Sequence, residues 1–232
     1  AMGPSGLGIA VPRPAGDFAI TKMTFDLVDE SGQPVSASDA HLHHMVVANL
    51  NSSNPACPGG TFGLPGEIIA AAGAERTAID FGDPYGLVVE ETDAWAGVYE
   101  LMSMSHEDQT VYLTYDMEIR RDVENVRPVT TYFGSATGCG SFTWTLDGSG
   151  LPDSQGHYVR VLNDGVLVGA GGHIHNGGLY TDLYDDSGRL LCRNELVLGE
   201  VPHEHPDDDH HDDARSRSDH DDDHDYARSR SD

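Results

Sequence analysis

The chain has 232 residues, 38% of them hydrophobic, and a formal net charge of −26. That length buries a real core, as one large β domain or two small ones. The negative charge is spread along the whole chain and excludes nucleic acid and an anionic membrane as partners, and no apolar run reaches the roughly 20 residues that span a bilayer.

Residues 1–16 are rich in Gly and Pro and read as an extended arm, suited to adding a strand to a neighbour's sheet and so to self-assembly. The opening Ala1-Met2-Gly3-Pro4 lacks the form of a signal peptide, as expected of a secreted chain in its mature form. Apolar and polar residues alternate over 18–28, and Asp29-Glu30-Ser31-Gly32-Gln33-Pro34 closes that strand with a turn. Residues 41–50 form the next strand, and residues 67–76, with Ala70-Ala71-Ala72, favour a short helix. Further strands follow at 85–89, 97–103, 110–119, 129–133 and 141–146. Asn163-Asp164-Gly165 joins 158–162 to 166–169 as a hairpin, and Asp185-Asp186-Ser187-Gly188 joins 179–184 to 189–192. Short strands with turn signals about every 8–12 residues predict an all-β, antiparallel β-sandwich or jelly roll. It spans residues 17–200, as one unit or as two small packed sandwiches over 17–124 and 125–200.

Residues 201–232 belong to a different regime. Asp207-Asp208-Asp209-His210-His211-Asp212-Asp213 is followed by Ala214-Arg215-Ser216-Arg217-Ser218-Asp219, which returns as Ala227-Arg228-Ser229-Arg230-Ser231-Asp232. With few apolar side chains to bury, this segment is expected to be a disordered acidic tail. Six of the 13 histidines lie in it among carboxylates, which also suits a weak collector of divalent metal. Charge composition elsewhere is equally skewed: Lys22 is the only lysine among 13 basic residues, and aspartate outnumbers glutamate. Such a balance resembles the solvation of halophilic proteins, and a high-GC genome would produce the same shift from Lys to Arg.

Three cysteines allow at most one intramolecular disulfide, and none has C-x-x-C spacing. A disulfide in an oxidising compartment is therefore expected rather than a thiolate metal site. Cys139 and Cys192 flank the region around His173 and His175, whereas Cys57 lies in a loop of the first half, so the expected pair is Cys139 with Cys192.

The chemistry lies in the histidines. His41-Leu42-His43-His44-Met45 opens an apolar strand, and Gly171-Gly172-His173-Ile174-His175-Asn176-Gly177-Gly178 answers it far downstream. Imidazoles set in strand-like apolar sequence suggest metal ligands, and imidazole suits Cu, Zn, Fe and Ni. In a regular strand His41 and His43 share a face while His44 points to the other, so a site using both His43 and His44 requires a bulge. If the strand is regular instead, His41 and His43 are the couple. His173 and His175, at i and i+2, form a natural chelating pair. The hairpin at Asn163-Asp164-Gly165 would bring His157 opposite Gly171 or Gly172 as a third ligand, and His106 could arrive from another strand.

These residues carry a resemblance. His43-His44-Met45 followed by an apolar strand is similar to the His-His-Met segment of the copper type II, ascorbate-dependent monooxygenases of the peptidylglycine hydroxylating and dopamine β-hydroxylase type. Residues 101–106 resemble the strand that supplies the third histidine of that family's electron-transfer copper, and His173-Ile174-His175 resembles the H-x-H of its catalytic copper. The Nod19-like stress-upregulated proteins are closer still, through residues 41–47 and 54–67, Asp83-Pro84-Tyr85-Gly86, and residues 169–192. Together these pieces cover most of 17–195.

The resemblance implies a secreted copper protein with two sites, one at His43, His44 and His106 and one at His173 and His175. If it is an enzyme, ascorbate would be the reductant and O₂ would hydroxylate a C–H bond of a small-molecule or peptide substrate. One departure matters: the family's catalytic copper takes a downstream methionine, and this chain has none after Met117. The third ligand would then be His157, His203, His205, Met102 or Met104. The chain is also short for two full hydroxylase domains. Two other classes therefore stand beside the enzyme: a non-catalytic copper binder or scavenger, and a structural subunit of a surface filament.

Overall fold

Alternation in residues 18–28 buries one face of a long strand at the centre of the core. The computed structural model describes residues 2–61, 64–105, 107–141, 143–146, 148–149, 152–175 and 177–195. Its strands are β1 (Met2–Ala10), β2 (Phe18–Val28), β3 (Ala40–Asn49), β4 (Glu67–Ala72), β5 (Ile79–Asp80), β6 (Tyr85–Val89), β7 (Trp95–Ser103), β8 (Tyr112–Arg120), β9 (Arg127–Pro128), β10 (Tyr180–Tyr184) and β11 (Leu190–Glu195). Among the described residues the only helical piece is a 3₁₀ turn, Val123–Asn125.

One sheet has the order β1-β7-β3-β4, all antiparallel. The other is built on β2, with β8 along one edge, β5 and β6 along the other, and β9 parallel to β6. Phe18, Ile20, Met23, Phe25 and Leu27 of β2 face Leu42, Met45 and Val47 of β3 across a common core, to which Ile69, Leu87, Val89 and Trp95 also belong. The protein is therefore an all-β antiparallel sandwich. A register shift between Ile20 and Lys22 in the pairing with β8 rephases β2, so that Ile20 and Met23 both point inward.

Four expectations are corrected. Residues 67–72 form β4 rather than a helix: Ile68, Ile69, Ala70 and Ala72 are buried, and pairing of Met45 with Ala72 through Asn49 with Glu67 overrides the helical preference of the alanines. The Gly/Pro-rich arm is not free, because β1 lies on the edge of its own chain's sheet, pairing Ser5 with Glu100 and Ala10 with Ala96. The runs 141–146, 158–162 and 166–169 form no strand among the described residues, so the hairpin at Asn163-Asp164-Gly165 is not closed. Tyr158 and Val166 are consequently 97% and 74% exposed. Next to them, the run at 129–133 is replaced by the short β9 and by side-chain anchoring, with Thr131 N–H and O–H donating to Glu67 Oε1 at 3.1 and 2.9 Å.

The fourth correction is the disulfide. Cys57 is bonded to Cys139 with Cα atoms 5.4 Å apart, and Cys192 is free. The Asn54–Cys57 turn is held against the chain that follows β9: the Asn54 side-chain amide donates to Phe133 O and, at 2.7 Å, to Thr61 Oγ1, while Phe133 N–H donates to Asn54 Oδ1 at 3.3 Å. That clamp brings Cys139 to Cys57, whereas Cys192 sits opposite Leu183 in the β10–β11 ladder. No helix of the described residues is long and apolar enough to cross a membrane. The acidic segment 201–232, with His203 and His205, lies outside the described residues, as does His106.

Candidate metal centre

The strand that carries the first histidine group is bulged at the position that a site using both His43 and His44 would require. In the β3–β7 ladder Leu42 pairs with Leu101 and His44 pairs with the very next β7 residue, Glu100, which leaves His43 as the extra residue. Leu42 and Met45 are buried in the core, while His43 and His44 lie between them on the outer face, only partly buried. Their ring centroids are 4.1 Å apart. His41 is on the same face, 6.3 Å from the His43 ring.

The second group arrives from beyond the sandwich. In the extended segment before β10, His173 and His175 point to one side with rings 5.0 Å apart. Two features set that approach: a turn closed by Gly178 N–H to His175 O at 2.9 Å, and Gly172, where an added Cβ would stand 1.8 Å from Thr181 Oγ1. The rings meet β3 directly. His44 Nε2 lies 3.1 Å from His173 Nε2 and 3.0 Å from His175 Nε2, and the His43 and His175 ring centroids are 4.6 Å apart. One ligand atom from each of His43, His44 and His175 falls within 4.8 Å of the other two.

Two carboxylates that sequence reasoning missed stand behind these rings. Glu100 Oε2 is 2.9 Å from His43 Nδ1 and 3.6 Å from His44 Nδ1. Glu75 Oε2 is 3.4 Å from His173 Nδ1. A carboxylate at Nδ1 fixes the tautomer, keeps the ring from turning and leaves the Nε2 lone pair available. Glu75 is presented by the turn after β4, where Arg76 N–H donates to Gly73 O at 3.1 Å. Arg76 adopts a left-handed φ of 47° and is held there by an ion pair to Asp26 at 2.6 Å. His173 packs on Gly73: a Cβ at that position would stand 2.5 Å from His173 Cε1. Nothing in the local sequence marks Glu75 or Glu100, because each becomes relevant only through a cross-strand or long-range neighbour.

Electrostatics separate the two residue types. The His44 imidazolium is disfavoured by burial and then by His43, His173 and His175, which brings its pKa down to about 4. Burial followed by repulsion from His43 also lowers His41 and His175. Glu75 is lowered to about 2, first by its hydrogen bond with His173, and Glu100 is lowered first by its hydrogen bond with His43. His44 at neutral pH thus offers a lone pair, beside two ionised carboxylates whose charge matches a divalent cation.

Among the described residues, the candidate His157 is not brought into this cluster. His157 is exposed, its ring beside Gly138, because the hairpin that would have carried it to Gly171 and Gly172 is not formed. Met102 pairs with His41 in the β3–β7 ladder, and Met104 is 53% exposed just past the end of β7. Glu75 also lines an open cavity of about 630 Å³ with Thr77, Gly172, Arg193, Asn194 and Glu195, so solvent reaches the back of the His173 side.

The donor set could hold a metal ion. Two nitrogens each about 2.0–2.1 Å from one ion are about 2.9 Å apart at a right angle and about 3.3 Å apart at the tetrahedral angle. The 3.0 and 3.1 Å separations around His44 Nε2 fall inside that range. Comparison of the chain with protein-family models, curated proteins and solved structures found no match.

Proposed function

We propose that this chain is an extracellular copper-binding protein, related to the copper type II monooxygenases but holding one ion at His43, His44, His173 and His175. The observation that carries the reading is the meeting of three Nε2 atoms at His44. One ring nitrogen carries a single proton or a single lone pair, so the two contacts compete for it and hydrogen bonding does not fully satisfy both. A cation among them satisfies all three. All-imidazole donors backed by carboxylates, with no thiolate, favour Cu(II), which stands at the head of the divalent affinity order for such sites.

Among the described residues the two histidine groups meet at one locus, which favours holding copper over two-site hydroxylation, where the two groups sit on separate ions. Extracellular residence is supported by the Cys57–Cys139 disulfide, since such bonds persist in oxidising compartments. The tail histidines add a weaker, sequence-encoded capacity to gather metal for the centre.

Cu(II) titration with metal analysis and electron spin resonance tests this. One tight equivalent with splitting from three or four nitrogens is expected, lost in His44→Ala and in His173→Ala alike. Two independent tight equivalents, one removed by each variant, would overturn the single centre and restore the ascorbate-driven hydroxylase as the reading. The absence of a tight equivalent would remove copper altogether.

A further inference from the structure

We infer that the ion bound at this centre is a clip: it docks residues 152–195 onto the outer face of the β1-β7-β3-β4 sheet, and its removal releases them. The inference rests on the copper-binding reading above. Its observation is how little else holds that part of the chain. From residue 152 to His175, the described residues are exposed except for Val168 and Ile174, which are partly buried. β10 and β11 pair with each other and belong to neither sheet of the sandwich.

Among the described residues, the hydrogen bonds and ion pairs that join this region to the two sheets and their connecting turns run through His173 and His175. They are His44 with His173, His44 with His175, and His173 with Glu75. Upstream, the chain is fixed at Cys139 by the disulfide, and Leu162 N–H donates to Tyr132 Oη at 3.2 Å. An isolated two-stranded hairpin on an exposed linker is marginal, and such a segment has little burial to offset the entropy lost on docking.

The histidines alone do not supply that offset, because without a cation the His44 contacts compete for one proton. An ion that binds only when both groups are assembled raises the docked population by the factor 1 + [M]/Kd, about 100-fold when the free ion is at 100 times its Kd. The sandwich does not depend on the ion in this way, since its core lies on the opposite face of β3. Copper binding is thereby converted into order in residues 152–195.

Amide hydrogen exchange by mass spectrometry on the full chain, with copper stoichiometry measured on the same samples, tests the inference. With free Cu(II) raised to 100 times its Kd, exchange of the β10 and β11 amides should slow by up to about 100-fold, while peptides from β2 and β8 stay unchanged. A chelator should reverse the effect, and His173→Ala should abolish it with the β2 and β8 protection intact. Copper bound at one equivalent with no change in β10 and β11 would overturn the clip and leave the copper site standing. Full protection of that hairpin in copper-free protein would overturn it as well, and failure to bind copper would overturn both readings.

Discussion

Deletion of His43 separates what the β3 bulge does for the fold from what it does for the histidine cluster. Leu42 and His44 already pair with the adjacent β7 residues Leu101 and Glu100, so removing His43 closes the ladder without moving its partners. Alternation then runs Ala40 in, His41 out, Leu42 in, His44 out, Met45 in, and the core phase is unchanged. The deletion loses a partly exposed hydrogen-bonded contact with Glu100, their side chains being 24% and 30% exposed. Such a contact contributes about 0–1 kcal/mol, equivalent to a fall in Tm of at most about 2–4 °C at this chain length. Deleting Val46 is the control, because it inverts the phase of half the strand. If Leu42 and Met45, 0% and 2% exposed, are the side chains turned to solvent, the cost is about 3–6 kcal/mol. Copper affinity should fall in the His43 deletion by at least the 10–100-fold typical of losing a residue behind a ligand. Thermal unfolding and chelator competition read the two quantities. Unfolding of the His43 deletion at the level of the Val46 deletion would refute the reasoning.

Glu100→Gln keeps shape but removes the charge behind His43 and His44, and should weaken Cu(II) by about 10–100-fold in a chelator competition while Tm holds. Gly73→Ala places a methyl 2.5 Å from His173 Cε1 and should displace that ring, lowering copper affinity about tenfold or more; unchanged affinity would argue against His173 as a ligand. Replacing both Cys57 and Cys139 by Ala opens a loop with a sequence separation of 82 and should lower unfolding free energy by up to about 4.5 kcal/mol on the chain-entropy account, read by urea denaturation. Asp182 is held at about 2, first by its hydrogen bond with Arg193, below its ordinary 3.8. Its folded pKa is the lower one, so its contribution to the β10–β11 hairpin is complete above pH 3.8 and is lost as pH falls through 2. A carboxyl titration by NMR with a midpoint near 3.8 would contradict that pairing.

Periodicity made the sandwich legible where each strand has one buried face. The alternation over 18–28 coincides with β2, and residues 85–89 coincide with β6. The bulge followed from chemistry rather than from pattern, since only an inserted residue lets His43 and His44 share a face. Periodicity failed where the decisive partner is remote. The alanines of 67–76 favour a helix locally, and only the exposed edge of β3 makes them a strand. Residues 158–162 and 166–169 have strand-like side chains, but alternation describes a face and says nothing of what will cover it. The disulfide obeys the same rule: Cys57 and Cys139 meet because Asn54 clamps the chain near Phe133, a contact with no local signature. Glu75 and Glu100 gain their roles from His173 and His43, which lie far from them in sequence.

The position of the cluster decides how metal and stability are coupled. In small metal-dependent domains the ion replaces a core, so that folding and binding are one event. Here Phe18, Ile20, Phe25, Leu42 and Val47, each at most 1% exposed, form a core that needs no ion. The imidazoles stand on the other face of β3, and their partners come from a segment with little burial of its own. On the copper-binding reading, the binding free energy would therefore act on the docking of that segment rather than on the sandwich. Substitutions in the cluster should leave the main unfolding transition in place and alter only the order of residues 152–195, whereas substitutions at Leu42 or Met45 should disturb both, because they hold the strand from which His43 and His44 project.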